Sequence, residues 1–101
     1  MKLEYQERIA VVIPCYRERF FIAKVLEKIP DFICKIYVVD DACPEGTADY
    51  VETNFKEERI TVLRHTYNEG VGAAVLTGYR QALQDEMTIV VKLDGDAQMD
   101  P

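Results

Sequence analysis

Two carboxylates separated by one glycine follow the last apolar run of the chain. In the segment VVKLDGDAQMDP, Asp94 and Asp96 flank the glycine, and the amide of Gln98 follows them. Because side chains alternate along an extended segment, both carboxylates can point the same way. Hard cations such as Mg²⁺ and Mn²⁺ take oxygen ligands from protein, water and phosphate. The spacing favours a site for such an ion at Asp94, Asp96 and Gln98, with a simple polar turn as the alternative.

A second acidic pair and one tyrosine follow earlier apolar runs. Asp40 and Asp41 end the run KIYVVDD. One of them is expected to face a crevice and accept hydrogen bonds from a base or ribose, while the other caps or braces the next loop. Tyr16 offers a flat face for a base or sugar, although a buried tyrosine with a satisfied hydroxyl is equally common. His65 has no serine or cysteine placed as a partner, so we expect a satisfied strand-end histidine and no nucleophilic triad.

The segment NEGVGAA predicts the start of a helix near Gly70 and Gly72. Backbone N–H groups at a helix start can meet a phosphate. Close packing of the helix on a sheet through Ala73, Ala74 and Gly78 explains the small residues equally well. Both explanations stay open from the sequence.

Short apolar runs alternate with segments of helical period, and this alternation predicts how the polar residues are positioned. The predicted strands cover residues 9–13, 35–41, 59–65 and 88–94. The predicted helices cover residues 21–29, from an N-cap at Thr47 to residue 55, and from about residue 70 to 83. Such a β-α-β-α-β-α-β order predicts a mostly parallel sheet with helices on both faces. Ligands bind beyond the carboxyl ends of such strands, where every polar segment named above falls.

Length and composition restrict the class of protein. A chain of 101 residues with 49% hydrophobic residues predicts one globular domain. A net charge of −6 without a basic cluster argues against a nucleic-acid partner. The sequence contains no run long enough for a signal-peptide core or a membrane span. Three widely spaced cysteines predict neither a disulfide framework nor a zinc site, which favours a cytoplasmic location.

Four segments in order carry a family resemblance: VVIPCYRE, VVDDACPEGT, NEGVGAAVLTGYRQA and VKLDGDAQMDP. Together, from about Ile9 to Pro101, they resemble the family-two glycosyltransferases, and within them the dolichol- or polyprenyl-phosphate sugar synthases. The resemblance implies the α/β, Rossmann-like GT-A fold of nucleotide-diphospho-sugar transferases. Arg17 stands where that family usually has asparagine, and Ala42-Cys43 replaces its common Gly-Ser.

The resemblance also implies the residues of a nucleotide-sugar site. By position, Pro14, Tyr16 and Glu18 would line the nucleotide pocket. Asp41, with Asp40 beside it, would contact the base or ribose. The donor would be a UDP- or GDP-linked sugar, and transfer would proceed with inversion to an acceptor such as a polyprenyl phosphate.

In the same family the pair Asp94 and Asp96 corresponds to the D-x-D motif. It would hold the ribose and a diphosphate bridged by Mg²⁺ or Mn²⁺, with Gln98 as a nearby ligand. The ion would neutralise charge that develops on the leaving diphosphate.

The family places its acceptor-binding half and catalytic base beyond the D-x-D motif. The resemblance therefore implies that residues 1–101 are the donor-binding part of a longer catalytic domain, truncated after this motif, with no catalytic residue of its own and no activity in isolation. The whole protein could lie at the cytoplasmic face of a membrane. An open sheet edge at the fourth strand predicts self-association, with a homodimer as the simplest form.

Two other functions fit parts of the pattern. A sugar nucleotidyltransferase shares a similar sheet, but it usually has a glycine-rich basic loop after the first strand, and PCYRERF contains no glycine. A non-catalytic α/β binding or interaction domain would use the strand-end acids only in turns and caps. Binding of a nucleoside diphosphate separates these alternatives.

Overall fold

Among the residues that the structure describes, four strands alternate with three helices, as the sequence predicts. The computed structural model describes residues 7–17 and 19–94. The elements are β1 (Ile9–Cys15), α1 (Arg19–Glu27), β2 (Lys35–Asp40), α2 (Thr47–Asn54), β3 (Ile60–Arg64), α3 (Val71–Gln84) and β4 (Ile89–Lys92). No helix among the described residues is both long and apolar enough to cross a membrane.

The strands form one parallel sheet in the order β3-β2-β1-β4. The chain adds β2 and β3 on one side of β1 and then returns to add β4 on the other side. The strand order therefore reverses between β1 and β4, which is where α/β sheets of this type open a crevice for a ligand. In the described part of the chain β4 forms one edge, where Ile89 and Val91 are exposed; self-association through it stays a prediction.

Both faces of the sheet are covered, because alternate residues of β1 and β2 point to opposite sides. On one face, α1 and α2 pack against an apolar cluster from the two central strands: Val11, Ile13, Ile36 and Val38. On the other face, α3 packs against the intervening residues: Ala10, Val12, Tyr37 and Val39. The α/β fold class with helices on both faces is confirmed.

Small residues bring α3 close to the sheet. Ala74 and Ala82 are fully buried in the α3 face of the core. A Cβ atom added to Gly78 would lie 2.8 Å from Cγ2 of Val12 in β1 and closer still to its Cγ1. A Cβ on Gly72 would meet nothing within 4 Å. The packing explanation is therefore confirmed for Ala74 and Gly78.

The start of α2 differs from the expectation that Thr47 is its N-cap. Gly46 occupies the cap position with φ 70°, and Thr47 is the first helical residue. The hydroxyl of Thr47 lies 3.3 Å from the sulfur of Cys43. A carboxylate from the preceding strand takes over the capping role, because Oδ2 of Asp40 accepts the Ala48 N–H at 2.8 Å.

Pro14 does not end β1, which continues to Cys15. The carbonyl of Val12 accepts a hydrogen bond from Leu93 on the β4 side, and the pairing of β1 with β4 ends at Val12. Residues 12 and 14 direct their backbone groups to the same side of β1, because successive residues of a strand alternate. The N–H that Pro14 lacks would therefore point toward β4, where the pairing has already ended. Proline costs no ladder hydrogen bond at that position.

Candidate functional site

The carboxyl ends of β1, β2 and β3 bring three of the singled-out residues side by side. Cys15 and Asp40 are direct partners in the register of β1 and β2. The next N–H along the chain, that of Asp41, donates to the Cys15 carbonyl at 3.0 Å, and the His65 N–H donates to the Asp40 carbonyl at 2.9 Å. Tyr16, Asp41 and His65 therefore follow one another across the same end of the sheet.

A small cleft opens at this end. It has a volume of about 100 Å³ and is lined by β1, its following residue, the residue after β2 and the first turns of α3: Pro14, Cys15, Tyr16, Asp41, Val71 and Ala74. Three of the predicted nucleotide-pocket residues are thus brought together. Their contact with a nucleotide stays a prediction.

Asp40 is buried and turned toward its own loop. Its Oδ1 accepts the Cys43 N–H at 2.7 Å, and its Oδ2 accepts the Ala48 N–H at 2.8 Å. The expectation that one member of the acidic pair braces the following loop is confirmed for Asp40. Among the described residues, Asp40 does not line the cleft.

Asp41 lines the cleft, and three hydrogen bonds hold its carboxylate in place. Its Oδ1 accepts hydrogen bonds from Nδ1 of His65 at 2.7 Å and from the Glu69 N–H at 2.8 Å, and its Oδ2 accepts the Gly70 N–H at 2.8 Å. Burial raises the pKa of this carboxyl, but the hydrogen bonds from Glu69, His65 and Gly70 outweigh burial and hold the pKa below its ordinary value. The cleft therefore presents a carboxylate that stays ionised at neutral pH.

His65 is satisfied on both ring nitrogens, as expected. Its Nε2 lies 2.8 Å from Oγ1 of Thr77 in α3, opposite the bond to Asp41. The partnership with Asp41 was not predicted, although a signal exists in the sequence. Asp40 and Arg64 are register partners in β2 and β3, so the next residues, Asp41 and His65, emerge as neighbours.

Cys43 joins the loops that follow β1 and β2, which the sequence did not predict. Its sulfur lies 3.1 Å from the Arg17 N–H and 3.3 Å from the Glu45 N–H. Burial raises the pKa of the Cys43 thiol, but the hydrogen bonds from Thr47, Glu45 and Arg17 outweigh it and lower the pKa. Arg17 and Ala42 have φ of 62° and 60°, so both loops turn sharply beside the sulfur. Residue 42 is the position where the family pattern carries glycine, which adopts such angles without strain.

Tyr16 stands at the mouth of the cleft with 40% of its surface exposed. The guanidinium carbon of Arg17 lies 5.4 Å from the centre of its ring, a cation–π distance. The cleft mouth thus combines an aromatic face with a fixed positive charge. Both are groups that a nucleotide can contact.

Asp94 follows β4 on the other side of the strand-order reversal. Its carboxylate is exposed and lies 3.0 Å from the ammonium of Lys92. The other predicted residues of the metal site, Asp96 and Gln98, and the predicted pocket residue Glu18 lie outside the described residues. Within residues 7–17 and 19–94, no group of three or more acidic, histidine or cysteine side chains is gathered for a metal ion.

A larger groove of about 310 Å³ lies elsewhere, between the end of α2 and the start of β3. Glu57 and Glu58, together with Phe55 and Ile60, contribute to its lining. It opens toward the amino end of β3, away from the strand ends where α/β proteins bind ligands. The small cleft is therefore the better candidate site.

Comparison with known proteins assigns the pattern to one family. The family model for glycosyl transferase family 2 matches residues 10–101. An undecaprenyl-phosphate mannosyltransferase of Micrococcus luteus is 32% identical over 97 residues, which cover 93% of this chain and 40% of that protein. A dolichol-phosphate mannosyltransferase of Pyrococcus furiosus is 29% identical over 98 residues, which cover 93% of this chain and 27% of that protein. The chain thus spans less than half the length of these relatives.

The fold is shared with a solved structure. Residues 1–349 of Staphylococcus aureus TarS in complex with UDP match with a TM-score of 0.75 at 24% identity, covering 88% of this chain and 27% of that one. A second structure of the same TarS residues matches with a TM-score of 0.66 at 22% identity. The α/β sheet described above is accordingly the Rossmann-like sheet of a GT-A glycosyltransferase.

Proposed function

Because the chain belongs to glycosyl transferase family 2, we propose that it forms the donor-binding part of an enzyme that transfers a sugar, with inversion, from a nucleoside-diphosphate sugar to a polyprenyl phosphate. Relatives from two organisms are named as transferases that act on undecaprenyl phosphate and dolichol phosphate. The TarS structure of the same fold contains UDP. Both observations support a UDP- or GDP-linked donor and a lipid-phosphate acceptor.

The observation that carries the proposal is the meeting of Tyr16 and the ionised Asp41 in one cleft at the carboxyl ends of the sheet. A carboxylate has about four acceptor positions, and three hydrogen bonds to Asp41 come from His65, Glu69 and Gly70. One acceptor position remains for a base N–H or a ribose hydroxyl. The ring of Tyr16 supplies a surface on which a base or sugar can stack.

The cleft of about 100 Å³ is smaller than the about 300–1,000 Å³ that is typical of ligand sites. We therefore assign it to the nucleoside end of the donor. The diphosphate and sugar would extend from it across the strand-order reversal toward Asp94. The guanidinium of Arg17, which lies over the ring of Tyr16, would lie beside the donor.

A divalent cation, Mg²⁺ or Mn²⁺, would be held at the far end of that path. Asp94 and Asp96 offer carboxylate oxygens at a spacing of two residues, and Gln98 offers an amide oxygen. These hard oxygen donors fit either ion. The exposed Asp94 carboxylate is paired with Lys92, and a bound cation would replace that ammonium. When bound, the ion would stabilise negative charge on the leaving diphosphate.

Acceptor binding and the catalytic base belong, in this proposal, to the part of the relatives that the chain does not span. The described residues contribute donor recognition. Asp40 contributes indirectly, because it fixes the loop after β2 whose first residue is Asp41.

Isothermal titration calorimetry with UDP and GDP, each with and without Mn²⁺, tests the proposal. We expect one of the two nucleotides to bind, more tightly with the metal. Stacking of a base on an aromatic side chain is worth about 1–3 kcal/mol, so Tyr16→Ala should weaken binding about 5- to 150-fold.

Phe32→Ala is the matched control, because Phe32 is an exposed aromatic residue in the loop before β2, at the opposite end of the sheet. It should leave the affinity unchanged. A folded wild-type protein that binds neither nucleotide at millimolar concentration would favour the non-catalytic alternative.

A further inference from the structure

Three polar side chains from separate elements meet behind the cleft. Asp41 follows β2, His65 follows β3 and Thr77 lies in α3. The side chains of His65 and Asp41 are only 8% and 4% exposed. Of these three residues, only Asp41 faces the nucleoside in the proposed donor site. The site assigns no role to His65 or Thr77.

The protonation of the histidine ring follows from its partners. An ionised carboxylate only accepts hydrogen bonds, so the ring nitrogen that faces Asp41, Nδ1, must carry a hydrogen. The opposite nitrogen faces the Thr77 hydroxyl at 2.8 Å. A hydroxyl can donate or accept, so Thr77 satisfies Nε2 in either protonation state of the ring.

The hydrogen bonds of Asp41 connect His65 to the wall of the cleft. The Asp41 carboxylate accepts the N–H groups of Glu69 and Gly70. Val71, which lines the cleft, directly follows Gly70 and begins α3. The orientation of one carboxylate thus fixes both the free acceptor position in the cleft and the start of the helix that forms its wall.

We propose that His65 is a positioning residue of the nucleotide cleft: its Nδ1–H, steadied by Thr77 at the other side of the ring, fixes the Asp41 carboxylate in the orientation that receives the nucleoside. The inference rests on the proposed donor-binding function of the cleft. Without the Nδ1–H, Asp41 keeps only the two backbone hydrogen bonds from the α3 side. The carboxylate is then held less firmly, and its remaining acceptor position is no longer fixed toward the cleft.

Two replacements of the same residue separate positioning from stability. In His65→Asn the side-chain amide places a donor near the position of Nδ1, whereas in His65→Gln the amide reaches toward the position of Nε2. Both lose one of the two contacts of the ring. Only the asparagine keeps the donor to Asp41.

Titration of the full chain with UDP and GDP in the presence of Mn²⁺ provides the measurement. We expect His65→Gln to weaken binding about tenfold or more, as loss of a hydrogen bond to a charged group does. His65→Asn should stay within about threefold of wild type. Thr77→Val, which removes only the steadying hydroxyl, should weaken binding about threefold.

Tyr37→Phe is the control for lost stability. It removes a buried hydroxyl that bonds to Asp85 at 2.5 Å, beyond the last turn of α3 and away from the cleft. Tyr37→Phe should lower the melting temperature and leave the affinity unchanged. A positional role therefore predicts that affinity follows the donor to Asp41, whereas a merely structural role predicts that affinity follows the melting temperature across all variants.

The outcomes distinguish this inference from the proposed function. Equal affinities of wild type and His65→Gln would overturn the positioning role and leave the donor site intact. Absence of nucleotide binding in the wild type would overturn both. If His65→Gln does not fold, Thr77→Val decides, because an affinity equal to that of Tyr37→Phe would overturn the positioning role.

Discussion

Replacement of Gly78 by alanine should destabilise the protein, although alanine is the better helix former. Gly78 faces the centre of the sheet, where a Cβ atom would lie 2.8 Å from Cγ2 and 3.2 Å from Cβ of Val12, and closer still to Cγ1. Carbon atoms in contact are normally about 3.5–4.0 Å apart. Val12 is fully buried in a central strand, so its side chain is enclosed by the packed core.

Two opposing effects set the magnitude. Alanine in place of glycine in a helix gains about 1 kcal/mol. Overpacking of a core costs about 1–3 kcal/mol and at times more, and an overlap of this size with a β-branched side chain belongs at the upper end. We therefore expect Gly78→Ala to lower the free energy of unfolding by about 1–2 kcal/mol. In a domain of this size the melting temperature would fall by roughly 4–16 °C.

Equilibrium unfolding in urea measures the effect, and Gly72→Ala is the control within the same helix. A Cβ on Gly72 meets nothing within 4 Å, so this variant should be neutral or stabilised by up to about 1 kcal/mol. Adding Val12→Ala to Gly78→Ala should recover part of the lost stability relative to the sum of the single variants. A Gly78→Ala protein as stable as Gly72→Ala would refute the close packing of α3 on β1.

Three further predictions concern the acids of the candidate site. Asp40→Ala should lower the free energy of unfolding by about 1–3 kcal/mol, since it leaves the N–H groups of Cys43 and Ala48 without their acceptor; an unchanged urea midpoint would contradict the bracing role. Asp41 has a lowered pKa, so its stabilising effect is complete above the ordinary carboxyl pKa of about 4 and is lost as the pH falls through the lower folded value. The difference in unfolding free energy between wild type and Asp41→Asn should therefore shrink below about pH 4, whereas a constant difference would argue against an ionised Asp41. Chelation of divalent cations should weaken nucleotide binding, and Asp94→Asn should abolish that dependence; equal affinity with and without a chelator would remove the metal from the proposal.

The element order could be predicted because the apolar period changes along the chain. Continuous apolar runs such as Ile9 to Ile13 are typical of strands covered on both faces, and their alternation with helical segments leaves a parallel sheet as the consistent arrangement. Once the sheet is parallel, residues that follow strands lie at one end of it. The proximity of Tyr16 and Asp41 was predictable for that reason alone.

Other parts of the site depend on contacts that single-sequence patterns do not encode. The capping of α2 by Asp40 instead of Thr47 requires the loop to turn back on its own strand, through Ala42 at positive φ. The sulfur of Cys43 joins two loops because it accepts the Arg17 N–H from a different loop. The hydrogen bond between Asp41 and His65 is an intermediate case. The sequence alone does not predict it, but it follows once the register of β2 and β3 is known.

The proposed function requires that one end of this sheet binds a nucleotide through residues of several strands. Backbone NMR during titration with UDP or GDP and Mn²⁺ tests it most directly. We expect the largest shift changes at Tyr16, Asp41 and Gly70, with paramagnetic broadening centred on Asp94 and Asp96. Shift changes confined to the groove between α2 and β3, or the absence of any saturable change, would contradict it.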